Sequence, residues 1–370
     1  MTTAPLVSVL LPVYNAGPYL TAALESILRQ DYDRLEVIAI DDGSTDNSLE
    51  ILERYRRADN RVSVISRENR GLVATLNEGL RLAQGELVAR MDADDVAYPR
   101  RLSRQVALFE RRPDLGFCGA CVDTLLHGRI AKGRLDPVFR LGRLDILSMF
   151  FTIFLHPTVI YNRKVIGNND LYYDPKYKHA EDFDLFRRLA GRFPATILPD
   201  SLLVYRIHAG SVTMRHAKEM RRTHLRIVAE NLEREGLAET TADLRDIGEA
   251  VSFDTVSRAA DFIRALEERI SELPTDTRPS FEAGALNLFY FLYQLVGDEG
   301  EPPLTHELLT RTARWNFIRR REQYALRPGV WAPWLSLLSI RAGKRADAVA
   351  YFFKTTPAEA VLARYQRGLV

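Results

Sequence analysis

The residues best suited to chemistry are acidic, and they come in three groups. Met91-Asp92-Ala93-Asp94-Asp95 stacks its aspartates directly behind the apolar run Leu87-Val88-Ala89. Carboxylates this close repel one another unless a cation or a partner offsets the charge. Their spacing suits one hard divalent cation and the diphosphate it would neutralise. A second group, Asp41-Asp42-Gly43-Ser44-Thr45-Asp46, follows the apolar segment Glu36–Ile40 and is rich in helix-capping residues. Asp41 suits that capping turn as well as a ligand position, whereas Asp42 can accept a hydrogen bond from a base N–H. The third group is Glu181-Asp182, ahead of Phe183, Leu185, Phe186 and Leu189. Taken alone, this pair reads as the acidic first turn of a helix, where the macrodipole favours negative charge.

Positioning these acids falls to an alternation of short apolar runs and amphipathic segments through about residue 125. That alternation predicts an α/β fold with a mostly parallel sheet flanked by helices. Strands are expected over Val7–Val13, Glu36–Ile40, Val62–Ile65 and Leu87–Ala89. The intervening helices carry Leu20, Leu24, Ile27 and Leu28, then Leu49, Ile51, Leu52 and Tyr55, then Leu72 to Ala83 before a Gln84-Gly85 stop. Asn15, Asp41, Asp42, Asp92, Asp94 and Asp95 all fall at strand C-terminal ends, the edge where open α/β sheets bind ligands. The first turn, Pro12-Val13-Tyr14-Asn15-Ala16-Gly17, lacks the glycines of a dinucleotide fingerprint and the lysine of a phosphate loop. Phosphates bound here must be neutralised elsewhere, and an aspartate-held cation is the candidate.

Composition excludes several classes. The chain has 370 residues with a formal charge of +2, which gives no global electrostatic case for a nucleic-acid partner. Its length suggests two domains. No stretch approaches the ~18 apolar residues of a spanning helix, and the N-terminal run Val7–Leu11 is too short for a signal peptide. The only cysteines, Cys118 and Cys121, form a C-x-x-C without the second pair a zinc site needs. They lie in a strand-like context and read as two small buried residues. A cytoplasmic protein is expected.

Leu11-Pro12-Val13-Tyr14-Asn15, Asp41-Asp42-Gly43-Ser44-Thr45-Asp46, Met91-Asp92-Ala93-Asp94-Asp95 and Ala180-Glu181-Asp182, in that order, resemble the inverting glycosyltransferases of family 2. The resemblance covers roughly residues 5–213 and implies the GT-A fold, with a nucleotide sugar, UDP-linked in the first instance, as donor. It places Pro12, Tyr14 and Asn15 against the nucleotide, Tyr14 near the base, with Asp42 accepting from the base and Asn69 completing the set. Asp92-Ala93-Asp94 resembles the family's D-x-D, with Asp92 near the ribose and Asp94 binding Mg²⁺ or Mn²⁺. Asp95 is expected to cap or support. Asp182, with Glu181, resembles the catalytic pair, Asp182 being the general base that deprotonates the attacking hydroxyl. Tyr205-Arg206-Ile207-His208 resembles a loop over the diphosphate: Arg206 supplies charge and His208 a donor or metal ligand. Leu155-His156-Pro157-Thr158 also resembles a family segment, with His156 read as structural. Two positions depart from the pattern. Leu76-Asn77 stands where many relatives carry Arg-Asn, which leaves Arg67 or Arg70 as substitutes, and Phe186 replaces a common tryptophan.

Past Met214 the strand signals vanish. A GT-A catalytic domain over 1–215 and a helical domain over 216–370 of unreadable role are expected, with Leu273–Pro279 as a break. Between Arg311 and Arg345 there are nine basic residues against one acid, interleaved with Trp315, Trp331 and Trp334. That pattern suits peripheral contact with an anionic membrane at its inner face, near a saccharide or lipid-linked saccharide acceptor. It suits equally a helical domain with buried tryptophans and a solvated basic face. A sugar-phosphate nucleotidyltransferase is the rival enzyme, but its glycine-rich basic loop after the first strand is replaced by Pro12-Val13-Tyr14-Asn15. A non-catalytic nucleotide-sugar-binding module is the rival outside catalysis, and it would be free to lose Asp94 or Asp182.

Overall fold

The computed structural model describes residues 4–141, 143–208, 216–299, 302–326 and 355–357. Its described residues divide into two compact units. The first takes the chain up to residue 144, then residues 152–208 and the strand at 355–357; the second takes residues 145–151 and 216–326. Two segments therefore cross the expected boundary at 215/216. Residues 145–151 join the helical unit, and 355–357 return to the sheet.

The first unit is built on ten strands: β1 (Val7–Val13), β2 (Leu35–Asp41), β3 (Val62–Ser66), β4 (Leu87–Arg90), β5 (Val96–Ala97), β6 (Phe117–Leu126), β7 (Arg129–Ala131), β8 (Ile160–Asn162), β9 (Ala195–Arg206) and β10 (Thr355–Pro357). Their order is β10-β7-β6-β8-β4-β1-β2-β3, with β9 paired to both β5 and β6. Strands β4, β1, β2 and β3 are mutually parallel. Strands β1, β2 and β4 are buried along nearly their whole length, as expected where helices cover both faces of a parallel sheet, whereas β3 is half-exposed. The rest of the sheet is mixed: β8 pairs antiparallel with β4 and β6, β7 with β6 and β10, and β5 with β9. Strand β9 runs parallel to β6, so the sheet is mostly parallel as expected, and the antiparallel pairs join partners so far apart in sequence that they leave no local signature.

Helices α1 (Gly17–Leu28), α2 (Ser48–Ala58) and α3 (Leu72–Leu82) follow strands as the apolar spacing predicts, and α4 (Arg101–Arg111) follows β5. In α1, Leu20, Leu24 and Ile27 lie one above another and bury against Val9, Leu11 and Val37. Two single turns, α5 (Leu144–Leu147) and α6 (Arg163–Ile166), precede α7 (Glu181–Ala190). Register puts Val13 beside Asp41 and Asp41 beside Ser66, so the C-terminal ends of β1, β2 and β3 share one edge. Cys118 and Cys121 are both free and buried in β6, and burial pushes the Cys118 thiol up to about 12. Neither is poised for redox work.

The second unit is helical: α8 (Ala217–Arg234), α9 (Ala242–Glu249), α10 (Phe253–Ser271), α11 (Arg278–Glu299), α12 (Pro302–Arg311) and α13 (Arg320–Ala325). Ser252 and Thr255 form a reciprocal capping box at the start of α10. The expected break at 273–279 is a tight turn in which Thr277 and Arg278 N–H donate to the Pro274 carbonyl. No described helix is long and apolar enough to cross a membrane. Two of the expected membrane-facing cations are committed within this unit. Arg311 pairs with Asp261 at 2.9 Å and with Glu307, while buried Arg314 pairs with Glu267 and packs over the Phe289 ring at 4.5 Å. Arg327, Trp331, Trp334, Arg341, Lys344 and Arg345 lie outside the described residues.

Gly85 marks the tightest approach at the entry to β4. A Cβ there would lie 2.7 Å from the Leu6 carbonyl oxygen and 2.7 Å from the Ser8 amide nitrogen. Because both neighbours are backbone, they cannot swing aside. Gly85→Ala is expected to cost about 1–3 kcal/mol, read as a lower midpoint in urea unfolding; an unchanged midpoint would show that the strand ends give way freely.

Candidate active site

The acidic loop leaves β4 and turns back on itself, Asp95 N–H meeting the Asp92 carbonyl at 3.4 Å. Asp92, Asp94 and Asp95 each offer a carboxylate oxygen, all within 4.8 Å of one another. Each has a different neighbour. Asp92 Oδ2 forms an ion pair with Arg90, the buried last residue of β4. Asp94 Oδ2 and His208 Nε2 are 2.8 Å apart. Asp95 Oδ1 accepts from Arg206 N at 2.8 Å, while its Oδ2 is buried without a hydrogen-bond partner. Arg206 also donates from Nε to the Asp94 carbonyl at 2.8 Å.

The electrostatics follow from this crowding. Burial pushes Asp92 up to about 6; Arg90 opposes the shift, and the charges of Asp94 and Asp182 add to it. Burial, then the Asp92 and Asp94 charges, raises Asp95 well above the usual carboxylate range. An all-carboxylate set with one orphaned buried oxygen fits a hard divalent cation, which takes oxygen ligands and would relieve the repulsion. The expected residues Asp92, Asp94, Arg206 and His208 are thus brought together, with Asp95 as a full member of the cluster.

The residues expected on the nucleotide side meet beside this loop, past the ends of β1 and β2 on the same edge of the sheet. Pro12 is half-buried in β1 and Tyr14 is 51% exposed just past its end. Asn15 adopts a left-handed φ of 50°. Its side-chain oxygen accepts from Thr45 N at 2.8 Å and its amide donates to Ser44 Oγ at 2.9 Å. Ala16 and Gly17 amides donate to Ser48 and Asp46 in the same way, at 2.9 Å each. The turn after β1 is therefore stitched to the turn after β2, and Asn15 works inside that seam. Asp41 settles as a turn residue, accepting from Ser44 N at 3.2 Å and Ser66 Oγ at 2.9 Å.

Asp42 is more heavily used than its sequence context reveals. Its Oδ1 accepts from Arg67 and from Arg70 N at 2.8 Å, and its Oδ2 accepts from Gly71 N at 2.9 Å. Arg67 also pairs with Glu78 at 2.7 Å and reaches Thr75 at 2.9 Å, so it organises the loop into α3. Arg70 contributes its backbone to the same loop. Asn69 is exposed there, its amide nitrogen close beside Gly43, which holds a φ of 74°.

Glu181 and Asp182 open α7, where Phe183 N–H donates to Asp182 Oδ1 at 2.8 Å. Burial, then the neighbouring Asp182, pushes buried Glu181 up to about 7, and burial raises Asp182 as well. The Arg90 guanidinium opposes both shifts, and Asp182 lies near enough to Asp92 to raise that carboxyl. Phe186 fills its slot by edge contacts with Phe154 at 5.3 Å and His156 at 5.9 Å. His156 shares a 2.7 Å hydrogen bond with Tyr173, and burial keeps the imidazole neutral, in line with its structural reading. Asn77 donates to the Tyr173 carbonyl and accepts from its N–H, both at 2.8 Å, tying α3 to the segment before α7.

Sequence reasoning missed Arg90, which pairs with Asp92, and Tyr19, whose ring centroid lies 4.7 Å from the Arg206 guanidinium. For Arg90 a signal existed: an arginine closing an apolar strand and abutting aspartates is an ion pair in waiting.

The family model for glycosyl transferase family 2 matches residues 8–169. An uncharacterized glycosyltransferase of Haemophilus influenzae is 30% identical over 243 residues, covering 63% of this chain and 75% of that relative. The chain belongs to glycosyltransferase family 2. Two solved structures share its fold. Staphylococcus aureus TarS 1–349 with UDP-GlcNAc matches at TM-score 0.52 and 22% identity, over 88% of this chain and 92% of that one. The Pyrobaculum calidifontis mannosyltransferase PcManGT with GDP-Man and Mn²⁺ matches at TM-score 0.50 and 20% identity, over 93% and 87%. The GT-A architecture, a mixed sheet flanked by helices with a helical region after it, is that of this glycosyltransferase.

Glu181 carries a stability signature. A buried carboxyl raised to about 7 binds a proton that the unfolded chain gives up near its ordinary value of about 4.3. Its contribution is therefore favourable at low pH and lost as pH rises through 7. Glu181→Gln removes this group. The variant is expected to gain on the wild type between pH 5 and pH 8 by on the order of 2 kcal/mol, followed by paired thermal melts in chelator. A melting difference constant across that range would refute the assignment.

Proposed function

We propose that this family 2 glycosyltransferase moves a sugar, with inversion at its anomeric carbon, from a nucleotide sugar to the hydroxyl of a saccharide or lipid-linked saccharide. The observation that carries the reading is the pairing of two carboxylate centres. Asp92, Asp94 and Asp95 cluster within 4.8 Å, and Asp182 lies close enough to perturb Asp92 electrostatically. In this reading Asp94, supported by Asp92 and Asp95, would hold Mn²⁺ or Mg²⁺. When bound, the cation supplies Lewis-acid stabilisation of the departing nucleoside diphosphate. Asp182 accepts the proton of the acceptor hydroxyl as that oxygen attacks the anomeric carbon, opposite the leaving group. A raised Asp182 suits it to the proton it takes, and Glu181 beside it shapes its field. Arg206 provides charge for the diphosphate.

Asp42 supports UDP as the nucleotide. Of a carboxylate's roughly four lone-pair sites, Oδ1 has two donors and Oδ2 has one. A single site is left, which matches the lone N3–H of uracil, shared by thymine, better than the paired N–H groups of guanine, and uracil is the base taken here. The nucleotidyltransferase alternative finds no support at the turn after β1, which is stitched to residues 44–48. A membrane role for residues 311–345 gains nothing from Arg311 and Arg314, whose charges are already paired.

Asp182→Asn should keep nucleotide-sugar binding within about twofold while lowering transfer by at least ~10²-fold; full turnover by that variant would remove Asp182 as base. Exhaustive chelation should abolish activity and added Mn²⁺ or Mg²⁺ should restore it. Activity indifferent to chelator would sink the metal role. In thermal-shift assays with Mn²⁺, UDP-GlcNAc should stabilise the protein more than GDP-Man, and the reverse ranking would overturn the base assignment.

A further inference from the structure

Tyr19 lies in the first turn of α1, half-buried and outside every motif of the sequence. The Arg206 guanidinium packs over its ring at 4.7 Å. The His208 imidazole meets the same ring at 4.8 Å between centroids, tilted by 47°. Both residues stand at the end of β9, and both grip the acidic loop: Arg206 through Asp94 O and Asp95 Oδ1, His208 through Asp94 Oδ2. One aromatic ring thus touches both groups that connect β9 to the candidate cation site. The attraction of a guanidinium to a π-face orients it without consuming its N–H donors. The terminal nitrogens of Arg206 make no hydrogen bond among the described residues, so its orientation governs where they point. A cation arriving at Asp94 competes with His208 for Oδ2, and an imidazole resting on a ring remains placed when that contact loosens.

We propose that Tyr19 is a positioning residue, a platform that holds Arg206 and His208 in register over the acidic loop for the diphosphate of the donor. The proposal rests on the nucleotide-sugar reading above. Its working part is the ring face, so Tyr19→Phe preserves the device and Tyr19→Ala removes it.

The test compares wild type, Tyr19→Phe and Tyr19→Ala by titration calorimetry, with MnCl₂ alone and then with UDP-GlcNAc and GDP-Man in saturating Mn²⁺. Mn²⁺ alone should bind all three proteins within about twofold, because the carboxylates are untouched. The nucleotide sugar that wild type binds should bind Tyr19→Ala roughly 5- to 10-fold more weakly and Tyr19→Phe within about twofold. Undiminished binding by Tyr19→Ala would overturn the proposal, as would Tyr19→Phe failing equally. A matching loss of Mn²⁺ affinity in Tyr19→Ala would also overturn it, by showing a collapsed loop rather than a misplaced diphosphate clamp. Wild type that binds neither nucleotide sugar would instead refute the donor reading, and the proposal with it.

Discussion

Like charge held at close quarters is the constraint around which this molecule is arranged. Five carboxylates gather near one edge of the sheet: Asp92, Asp94, Asp95, Glu181 and Asp182. The cation shared among most of them is Arg90, buried at the end of a strand that is otherwise wholly apolar. A buried guanidinium needs opposite charge or neutral acceptors around it, and Arg90 has the first in Asp92. The acids in turn stay close because Arg90 offsets part of their repulsion. The carboxylates of the acidic loop and those opening α7 are thereby coupled, and a change in the charge of one is felt by the other.

Around that centre, the loops hold their shape through short-range polar stitching rather than through hydrophobic contact. The turn after β1 is sewn to the turn after β2, the loop before α3 is closed by Asp42 and Arg67, and Asn77 fastens α3 to Tyr173. Each seam ties a segment at the ligand edge to another element. Such hydrogen bonds contribute only about 1 kcal/mol each, yet they are numerous and mutually consistent. The result is a rim whose backbone is prearranged, with a few side chains such as Tyr14 left exposed on it.

How much of this was legible beforehand depended on the range of the interaction. Aspartates delivered by a strand end, Asp42 beyond a second strand and Glu181-Asp182 at a helix start are local patterns, and the sheet of β1 to β4 follows from apolar periodicity. Asn15 and Asp42 stand out in the sequence as candidates, but their bonds inside the chain are not visible there, because the partners come from other loops. Arg67 was considered as a ligand to the nucleotide and proves to be engaged with Asp42 and Glu78. Tyr19 reads in sequence as an ordinary helical tyrosine; only the return of β9 brings Arg206 and His208 to its face. The antiparallel part of the sheet was equally hidden, since a three-residue strand such as β8 carries almost no signal of its own.

The strand β10 has a consequence for how the protein comes into being. Thr355–Pro357 pairs antiparallel with Arg129–Ala131, although the whole helical unit lies between them in the chain. During synthesis the sheet must therefore wait, with the flank of β7 uncovered, until the ribosome has produced every helix of the second unit. An uncovered strand flank is a template for pairing with other chains. Cutting the gene at the apparent domain boundary would make that temporary exposure permanent, so the two units are not separable as lengths of polypeptide.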